Sequence, residues 1–379
     1  MEKILLVSTV PGLESYSIGV IGAAFRNRSI DCYACIFLPG TDQFTIAESM
    51  ERYGLAPSKG GKVLFHKLAT NKVLRNFRSG VYLRQIVDFA RRHQIYKIHF
   101  IAQDVMLYGH LDQFKDVELY YTVHDLVPHQ VKLSLLQQLK HYYFRIRKDR
   151  LLMQHIDQLV TNSNCQKAAL QKKYPNKTVF IHAMPGLVTP GIQSGSADVP
   201  ELKGLSDYVL FFGRIEVYKG LDRLYQDFVN RPELKAIKLV IAGRGQVYFK
   251  RDNGREDNII FLNRYIRDEE IGTLFKHAKM LILPYYRATQ SAVSSLSYHY
   301  HKPVIASDIE GLRESVIHEK TGLLYNPSLP EALCDAVLRL HSDRGLINGM
   351  IKYLAEENLF FDEKKLGDEI AAIYNYSRS

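Results

Sequence analysis

Short apolar runs separated by amphipathic stretches recur along the whole chain. In the first half the runs are KILLVST, IDCYACIFL, KIHFIAQ, LYYTVHDL, QLVTNS and KTVFIHA. A second series begins with YVLFFGR and continues through IKLVIAG, NIIFLN, MLILPY, KPVIAS and TGLLYNP. Buried strands that alternate with helices are typical of an open parallel sheet with helices on both faces. The pattern therefore predicts an α/β protein with two Rossmann-like halves.

The segment between the two series, HAMPGLVTPGIQSGSADVPELKGLSD, is rich in Gly, Pro and Ser and lacks periodicity. This composition is typical of a linker and predicts a domain boundary near residue 190. We expect one domain over residues 1–190, a second over 191–360 and a closing helix over 361–379. Ligands of open parallel sheets bind outside the carboxyl ends of the strands, so the predicted site is a cleft between the two domains.

Length and composition agree with this division. A chain of 379 residues is too long for one hydrophobic core. Its 46% hydrophobic and 24% charged residues exclude disordered and fibrous classes. No apolar run approaches the roughly 20 residues that a membrane-spanning helix needs. The start, MEKILLVSTVPG, indicates a first buried strand rather than a signal peptide, so we expect a cytoplasmic protein.

The net charge of +10 comes from one half of the chain. Residues 1–200 carry 25 Lys and Arg against 15 Asp and Glu, whereas residues 201–379 carry 25 against 25. Two segments mix positive charges with Leu, Phe and Tyr, through Lys72, Arg75, Arg78, Lys140, Arg145, Arg147, Lys148 and Arg150. Such segments dock on anionic membranes or lipid-linked acceptors, although solvated helix faces have the same composition. We expect peripheral contact with the inner membrane face, and no nucleic acid, because no motif for it appears.

The sequence gives no sign of a metal site. Cys32 and Cys35 point to opposite faces of a predicted strand, and no second Cys or His pair has metal-ligand spacing. No Asp-x-Asp pair occurs, so no carboxylates are spaced to share a divalent cation. We expect reduced structural thiols, no metal and no other cofactor.

Two loops of the second half suit phosphate binding. FFGRIEVYKG places Gly213 and Arg214 directly after a predicted strand, with Lys219 five residues after Arg214. Glycine permits close backbone approach, and two cations at a strand end suit a diphosphate. Gly243 and Gly245 follow the next strand, although tight turns also need glycine for purely geometric reasons. Their recurrence at neighbouring strand ends predicts a phosphate-binding edge.

Two further loops follow later strands. Tyr265 and Ile266 leave a strand and can present backbone groups and an apolar wall to a flat base, although packing alone would also explain them. After LILPYY the chain turns into a helix at Thr289, Gln290 and Ser291. A helix N-terminus offers unpaired N–H groups and a partial positive charge, which together form an anion site. A phosphate held by the cations of the first loop fits there.

The order of these motifs resembles a known family. FFGRIEVYKG, LVIAG, DEEIGTLFKHAKMLILPY and PVIASDIEGLRESVIHEKTGLLYNP together look like the retaining GT-B glycosyltransferases of family four. The likeness is strongest to bacterial enzymes of surface-polysaccharide synthesis, such as capsule or O-antigen (lipopolysaccharide) synthesis, and covers nearly all of residues 205–330. It implies the GT-B fold, in which two Rossmann-like domains face each other across a cleft. It also implies that Arg214 and Lys219 hold the diphosphate of a nucleotide-sugar donor.

The chain departs from the family at two positions. Most members have two glutamates, separated by seven residues, before the PVIAS strand, and these positions are Ala288 and Leu296 here. The second glutamate normally binds the ribose, and the first lies near the sugar. The turn at residues 289–291 replaces the acidic loop of the family.

The first half carries its own candidate residues in YYTVHDLVPHQ, which ends a predicted strand with His124, Asp125 and His129. By themselves these residues suit a base or part of a metal site, but spacing marks no third ligand. The resemblance implies that His124 contacts the donor sugar or the developing charge and that Asp125 orients its loop; a structural role is the alternative. Ser17 and Gly19 weakly match a Gly-rich family loop, and with His129 they are the predicted acceptor-binding residues.

The resemblance implies a reaction in which a sugar leaves a nucleotide diphosphate, with UDP preferred, for a glycan or lipid-linked acceptor with retention. A departing diphosphate and an oxocarbenium-like centre need cations and helix dipoles more than a strong nucleophile. The predicted catalytic residues are His124, Asp125, Arg214 and Lys219. One alternative is an epimerase on the same fold, which would need more acid and base carboxylates. The other is a non-catalytic binding or partner protein that lost the paired glutamates.

Overall fold

The computed structural model of the protein describes residues 1–9, 14–39, 51, 54–55, 61–126, 146–186, 188, 190–252, 254–357 and 363–376. These residues form two compact units. The first unit contains the described residues up to 185 together with residues 363–376, and the second contains residues from 186 to 357. The chain thus changes unit between residues 185 and 186, inside the Gly- and Pro-rich segment, and its last helix returns to the first unit.

A seven-stranded parallel sheet forms the centre of the first unit, in the order β3-β2-β1-β4-β5-β6-β7. Its strands are β1 (Glu2–Ser8), β2 (Ile30–Pro39), β3 (Val63–Leu68), β4 (Lys97–Phe100), β5 (Glu118–Thr122), β6 (Gln158–Thr161) and β7 (Thr178–Ile181). All except β3 coincide with the predicted apolar runs. β3 was not predicted because the polar residues His66 and Lys67 interrupt the short apolar run of its sequence, VLFHKL.

A six-stranded parallel sheet forms the second unit, in the order β10-β9-β8-β11-β12-β13. Its strands are β8 (Tyr208–Phe212), β9 (Leu239–Ala242), β10 (Ile259–Leu262), β11 (Ala278–Leu283), β12 (Val304–Ser307) and β13 (Gly322–Tyr325). Each matches one predicted run. The prediction of two Rossmann-like α/β units is therefore confirmed.

Helices flank both sheets. They are α1 (Glu14–Arg26), α2 (Lys72–Phe77), α3 (Ser79–His93), α4 (Arg147–His155), α5 (Asn164–Lys173), α6 (Pro190–Ser194), α7 (Leu221–Asn230), α8 (Asp268–His277), α9 (Ala292–His299), α10 (Glu310–Arg313), α11 (Ala332–Ser342), α12 (Arg344–Glu357) and α13 (Glu363–Tyr374). Among the helices described, none is both long and apolar enough to cross a membrane.

The closing helix α13 forms where the sequence predicts it. Its apolar positions Leu366, Ile370 and Ile373 are buried, as helical spacing requires of one packed face. Gly367 lets α13 approach α1 closely, since a Cβ there would lie 2.9 Å from the Ala23 carbonyl oxygen. The last helix is therefore part of the first unit's core.

The strand order of each sheet reverses at one place, between β1 and β4 in the first sheet and between β8 and β11 in the second. Loops that leave two neighbouring strands toward opposite faces open a crevice at such a point, outside the carboxyl ends of the strands. In the second unit those loops are residues 213–220 and 284–291. They are the segments that carry the predicted cations and the predicted helix N-terminus.

Candidate donor site and the His124 loop

The loop after β8 places a lysine in a buried aromatic environment. Lys219 ends a short 3₁₀ turn, and only 8% of its surface is exposed. Its Nζ lies 5.4 to 6.0 Å from the ring centroids of Phe211, Tyr218 and Tyr285. Within the described part of the chain, no carboxylate forms an ion pair with this ammonium. The lysine is a buried cation with ring faces around it and without an anionic partner among the residues that the structure describes.

Burial of an unpaired ammonium is unfavourable, and contact with ring faces offsets only part of that cost. Gly213 makes this placement feasible, because a Cβ at that position would lie 2.6 Å from Nζ of Lys219. Its φ of +129° is also a value that glycine adopts far more readily than other residues. Glycine at position 213 thus accommodates both the backbone conformation and the ammonium of Lys219.

Arg214, the second predicted cation, extends into solvent. Its side chain is 77% exposed, and its guanidinium lies 3.4 Å from the carboxylate of Glu216. An exposed ion pair of this kind is weak and exchanges readily with other partners. Arg214 is therefore available to an incoming diphosphate.

The loop before α9 lies directly beside the lysine loop. The backbone N–H of Tyr286 donates to the carbonyl oxygen of Tyr218 at 2.8 Å. A Cβ on Gly220, whose φ is +65°, would lie 2.0 Å from the carbonyl oxygen of Pro284. The structure therefore places the loop of the predicted cations beside the segment that leads to the predicted turn.

The turn at residues 289–291 leads into α9 as predicted. Thr289, Gln290 and Ser291 are half-buried, and Ser291 occupies the position before the first helical residue without capping the helix through its side chain. Gly311 supports the turn, because a Cβ there would lie 2.0 Å from the carbonyl oxygen of Ala288. The first N–H groups of α9 thus remain available to an anion.

The two positions where the family has glutamates differ in their surroundings. Leu296 is fully buried in the core of the second unit, whereas Ala288 is half-buried in the loop before α9. A leucine in the core offers no hydrogen bond to a ribose. Any nucleotide bound here must be held by the other groups of the loops.

Gly243 and Gly245 serve the packing of the neighbouring loop. A Cβ on Gly243, whose φ is +142°, would lie 2.1 Å from the carbonyl oxygen of Gly213, and one on Gly245 would lie 2.5 Å from that of Ile215. Both glycines are therefore required by the close approach of two strand-end loops. Their assignment to donor binding stays a prediction.

The loop after β10 is held rigidly by residues that the sequence did not single out. Arg264 donates two hydrogen bonds to Glu270, at 2.8 and 3.0 Å, and two more to Glu201, at 2.9 and 3.2 Å. Tyr265 is 65% exposed, whereas the side chain of Ile266 is buried in the core. The predicted apolar wall for a flat base cannot include the side chain of Ile266, because that side chain is buried. Only Tyr265 and the backbone of the loop remain as candidates for it.

In the first unit, two glutamine side chains hold the loop that follows β5. The carboxamide oxygen of Gln103 accepts the backbone N–H groups of His124 and Asp125, at 3.1 and 3.0 Å. Gln166 donates to the carbonyl of His124 at 2.7 Å and accepts the N–H of Leu126 at 2.7 Å. The loop conformation is therefore determined on both sides by residues distant in sequence.

The ring of His124 is enclosed by the start of α1. Tyr16 packs edge-on against it, with ring centroids 4.5 Å apart, and Nε2 donates to the Ile101 carbonyl at 3.3 Å. Burial lowers the pKa of His124, although Asp125 partly opposes this shift. The Tyr16 hydroxyl lies 3.3 Å from both Asn162 and His182. His124 is thus a neutral imidazole in a fixed orientation.

The predicted acceptor residues need correction. Ser17 is fully buried, and its hydroxyl accepts a hydrogen bond from Ser8 at 2.8 Å, so its side chain joins α1 to β1 and is not available to a substrate. Gly19 makes room for Pro185, whose Cβ would lie 2.4 Å from a Cβ at that position. His129 lies outside the described residues.

Sequence inspection missed the glutamines, Tyr16 and Asn162 because nothing local marks them. Gln103, Gln166 and Asn162 follow the carboxyl ends of β4 and β6 at the edge where this fold binds ligands, and that position is the only signal that could have found them. In the described ranges, no group of three or more His, Cys, Asp or Glu side chains is arranged to hold a metal ion.

Comparison with known proteins agrees with the motifs of the second unit. Residues 206–343 match the family described as "Glycosyl transferases group 1". A relative, an uncharacterized glycosyltransferase of Methanocaldococcus jannaschii, is 28% identical over 142 residues, which cover 36% of each chain. The matches to the first three curated relatives span between about a third and two thirds of those proteins' lengths.

Several solved structures share the fold over nearly the whole chain. Sucrose-phosphate synthase from Thermosynechococcus elongatus has a TM-score of 0.69 at 18% identity, covering 99% of this chain and 98% of that one. HepE of Anabaena, in complex with UDP and glucose, has a TM-score of 0.67 at 16% identity, covering 98% of each. WaaG, a glycosyltransferase involved in lipopolysaccharide biosynthesis, has a TM-score of 0.66 at 15% identity, covering 99% and 100%. The two parallel-sheet units have the GT-B glycosyltransferase fold.

Proposed function

We propose that this protein is a glycosyltransferase that transfers a sugar from a nucleotide-diphosphate sugar to a glycan or lipid-linked acceptor, with retention at the anomeric carbon. The observation that carries the proposal is Lys219, a buried ammonium without an anionic partner in the described residues, at the carboxyl end of β8. Arg214 and the open N-terminus of α9 lie on the two loops of the same switch point. A diphosphate supplies the negative charge that this arrangement lacks.

The chemistry follows from the charge that develops during transfer. The bond between the anomeric carbon and the diphosphate oxygen breaks, and a bond from that carbon to the acceptor oxygen forms on the same face. The departing diphosphate takes the acceptor's proton. Lys219, Arg214 and the helix N-terminus stabilise the negative charge on the leaving group, and fixed groups of this kind contribute several kcal/mol, or about 10²- to 10³-fold in rate per donor.

His124 is proposed to contact the donor sugar or the positive charge that develops at its anomeric carbon. Its ring is neutral, and its loop is held by Gln103 and Gln166 before any ligand binds. A neutral imidazole of fixed orientation stabilises a developing positive charge better than an imidazolium would, because a like charge would repel it. Asp125 is proposed to orient this loop, since its own N–H shares the oxygen of Gln103.

The nucleotide and the pathway are proposed from the relatives. HepE was crystallised with UDP and glucose, and WaaG is involved in lipopolysaccharide biosynthesis. We therefore propose a UDP-sugar donor, metal-independent transfer and a role in cell-surface polysaccharide synthesis, such as capsule or lipopolysaccharide. Sucrose-phosphate synthase, which shares the fold, shows by its name that the acceptor differs among such proteins.

Calorimetric titration with UDP, GDP and ADP, without added metal, tests the donor site. We expect one nucleotide to bind the unmodified protein and its affinity to fall at least about tenfold in Arg214→Ala, which corresponds to one lost charged contact. Arg344→Ala, which removes an exposed arginine at the start of α12, is the matched control and should bind normally. Failure of all three nucleotides to bind would contradict the proposal.

Leu296 favours a second candidate, a non-catalytic binding or partner protein with the same fold. Its burial in the core leaves no carboxylate where most family members contact the ribose. Release of UDP from UDP-sugars, measured with and without a membrane lipid extract as acceptor source, separates the two candidates. Turnover supports the transferase, whereas nucleotide binding without any turnover supports the binding protein.

A further inference from the structure

The short helix α2 exposes apolar side chains in a way that its own stability does not require. Val73 is 78% exposed, Phe77 87% and Leu74 41%, and Val81 in the first turn of α3 is 59% exposed. The side chain of Asn71 caps α2 by accepting the N–H groups of Val73 and Leu74, at 2.9 and 3.2 Å. Local capping therefore orders this helix while its apolar side chains remain in solvent.

The chain around α2 has charge of one sign only. Residues 52–87 contain eight Lys and Arg and no Asp or Glu. Arg78 and Arg84 are exposed, and no carboxylate of the described residues pairs with either. Arg75, Arg78 and Arg84 thus lie in or next to the turns of α2 and α3 that expose the apolar side chains. Helix faces that only meet water normally mix both signs of charge and lack large apolar groups.

The position of α2 in the fold relates its exposed side chains to the ligand-binding edge of the first sheet. The helix begins at Lys72, four residues beyond Leu68, the last residue of β3, at the carboxyl edge of the first sheet. His124 and Gln103 lie in loops at that edge, and Gln166 lies in the first turn of α5, which follows β6. A partner held by α2 would therefore be near the edge of the first unit where the fold binds ligands.

From these observations we infer that Val73, Leu74, Phe77 and Val81, with Arg75, Arg78 and Arg84, form a docking surface for an anionic lipid bilayer, here called the α2 surface. Apolar side chains enter the boundary between headgroups and acyl chains, while arginines meet the lipid phosphates. A soluble protein partner would need a complementary apolar groove, whereas a bilayer accepts a small convex helix directly. The other predicted basic segment contributes nothing to this inference, since Lys140 and Arg145 lie outside the described residues.

Co-sedimentation with lipid vesicles tests the inference and does not depend on glycosyl transfer. We expect the protein to sediment with vesicles of phosphatidylcholine and phosphatidylglycerol, and salt to release it. Phosphatidylcholine alone should bind it much more weakly, because each basic residue near an anionic surface contributes about a fivefold gain in partitioning. Equal sedimentation with both vesicles, or with neither, would overturn the inference.

Variants locate the surface. Val73→Ser combined with Phe77→Ser, and separately Arg78→Glu combined with Arg84→Glu, should each lower vesicle binding at least about tenfold. The matched controls in the second unit, Leu329→Ser and Lys203→Glu combined with Lys250→Glu, change exposed residues and should bind vesicles normally. Unchanged binding by the α2 variants would contradict the assignment.

Two further measurements separate this inference from its alternatives. Nucleotide titration of the same variants should give unmodified affinities, which shows that the fold is intact and keeps failure here distinct from failure of the donor site. Sedimentation velocity should show one species for the unmodified protein and for the Val73→Ser, Phe77→Ser variant. A larger species that only this variant loses, together with no vesicle binding, would instead establish the α2 surface as a contact between copies.

Discussion

At the scale of single residues, the surroundings of Lys219 differ from those of most lysines. Surface lysines keep their ammonium in water, and buried lysines normally pair with a carboxylate. Here the ammonium lies between Phe211, Tyr218 and Tyr285, and the missing Cβ of Gly213 leaves room for it. Such an arrangement costs stability in the free protein, and the anion that we propose at this site would offset that cost.

Gly213→Ala should therefore weaken both the fold and the donor site. The new Cβ would meet Nζ of Lys219, and alanine disfavours the φ of +129°, so we expect a loss of about 1 to 3 kcal/mol in the free energy of unfolding. Nucleotide affinity should fall as well. Gly349→Ala in helix α12, with open space around it, is the control and should stabilise the protein by up to about 1 kcal/mol. Equal behaviour of the two variants in urea unfolding would contradict this account.

His124→Ala should affect transfer without affecting nucleotide binding. Its ring belongs to the first unit, whereas the proposed diphosphate site belongs to the second, so we expect the transfer rate to fall on the order of a hundredfold with the UDP affinity nearly unchanged. The exposed His155 provides the control variant, His155→Ala, which should retain full activity. A normal transfer rate for His124→Ala would contradict the proposed contact with the donor sugar and would mean that His124 has only a structural role.

At the scale of elements, the closing helix α13 is held by a buried polar contact as well as by its apolar face. The Tyr374 hydroxyl lies 2.6 Å from Nδ1 of His99, and Nζ of Lys97 donates to the Tyr374 carbonyl at 2.6 Å. His99 is in turn 2.8 Å from the Thr122 hydroxyl. The last helix is thus tied to β4 and β5 in the middle of the first sheet.

Tyr374→Phe should cost about 1 to 3 kcal/mol in the free energy of unfolding, because it leaves a buried imidazole nitrogen without its partner. The matched variant Tyr376→Phe removes a hydroxyl from a residue that is 55% exposed, and should change stability by less than about 0.5 kcal/mol. Urea titration followed by circular dichroism measures both. Similar midpoints for the two variants would mean that the contact with His99 contributes little.

The sequence predicted elements best where burial was complete. The strands from β8 to β13 appear as continuous apolar runs, as is typical of a parallel sheet whose two faces are covered by helices. β3 was missed because His66 and Lys67 interrupt its short apolar run, and α2 could not be distinguished from a solvated basic segment. Hydrophobic periodicity in a sequence reflects which side chains are buried. Elements that bury few side chains therefore show only a weak periodic pattern.

At the scale of the whole molecule, three neutral histidines in the first unit make it sensitive to acid. Burial lowers the pKa of His99 and of His124, and lowers that of His182 to about 4 from an ordinary value of 6.5. The unfolded chain therefore binds protons at these sites at a higher pH than the folded chain does. The resulting contribution to stability is complete above about pH 6.5 and is lost as the pH falls toward 4.

For His182 alone, that shift corresponds to about 3 kcal/mol lost between pH 6.5 and 4. Unfolding midpoints measured across this range should fall steeply for the unmodified protein and less steeply for His182→Gln. His155→Gln, in which the replaced histidine is exposed, should follow the unmodified protein. A midpoint that stays constant down to pH 4 in the unmodified protein would contradict the assignment of neutral, buried histidines.

The candidate site shows where sequence reasoning ends. Arg214, Lys219 and the turn at residues 289–291 are visible in the sequence because each lies in a short motif that begins at the end of a strand. Gln103, Gln166 and Arg264 are not, because their contacts with His124, Leu126 and Glu201 span 21, 40 and 63 residues. Ser17 was misassigned for the same reason, since its contact with Ser8 is visible only once α1 packs on β1.

Comparison of UDP and UMP in calorimetric titrations of the unmodified protein and of Lys219→Met tests the central claim most directly. Methionine matches the buried side chain in size without its charge, so the fold should persist. Lys203→Met, at an exposed position, is the control. We predict that the unmodified protein and the control bind UDP at least about tenfold more tightly than UMP, and that Lys219→Met abolishes this difference. An unchanged preference for UDP in Lys219→Met would show that the diphosphate is held elsewhere and would contradict the proposed donor site.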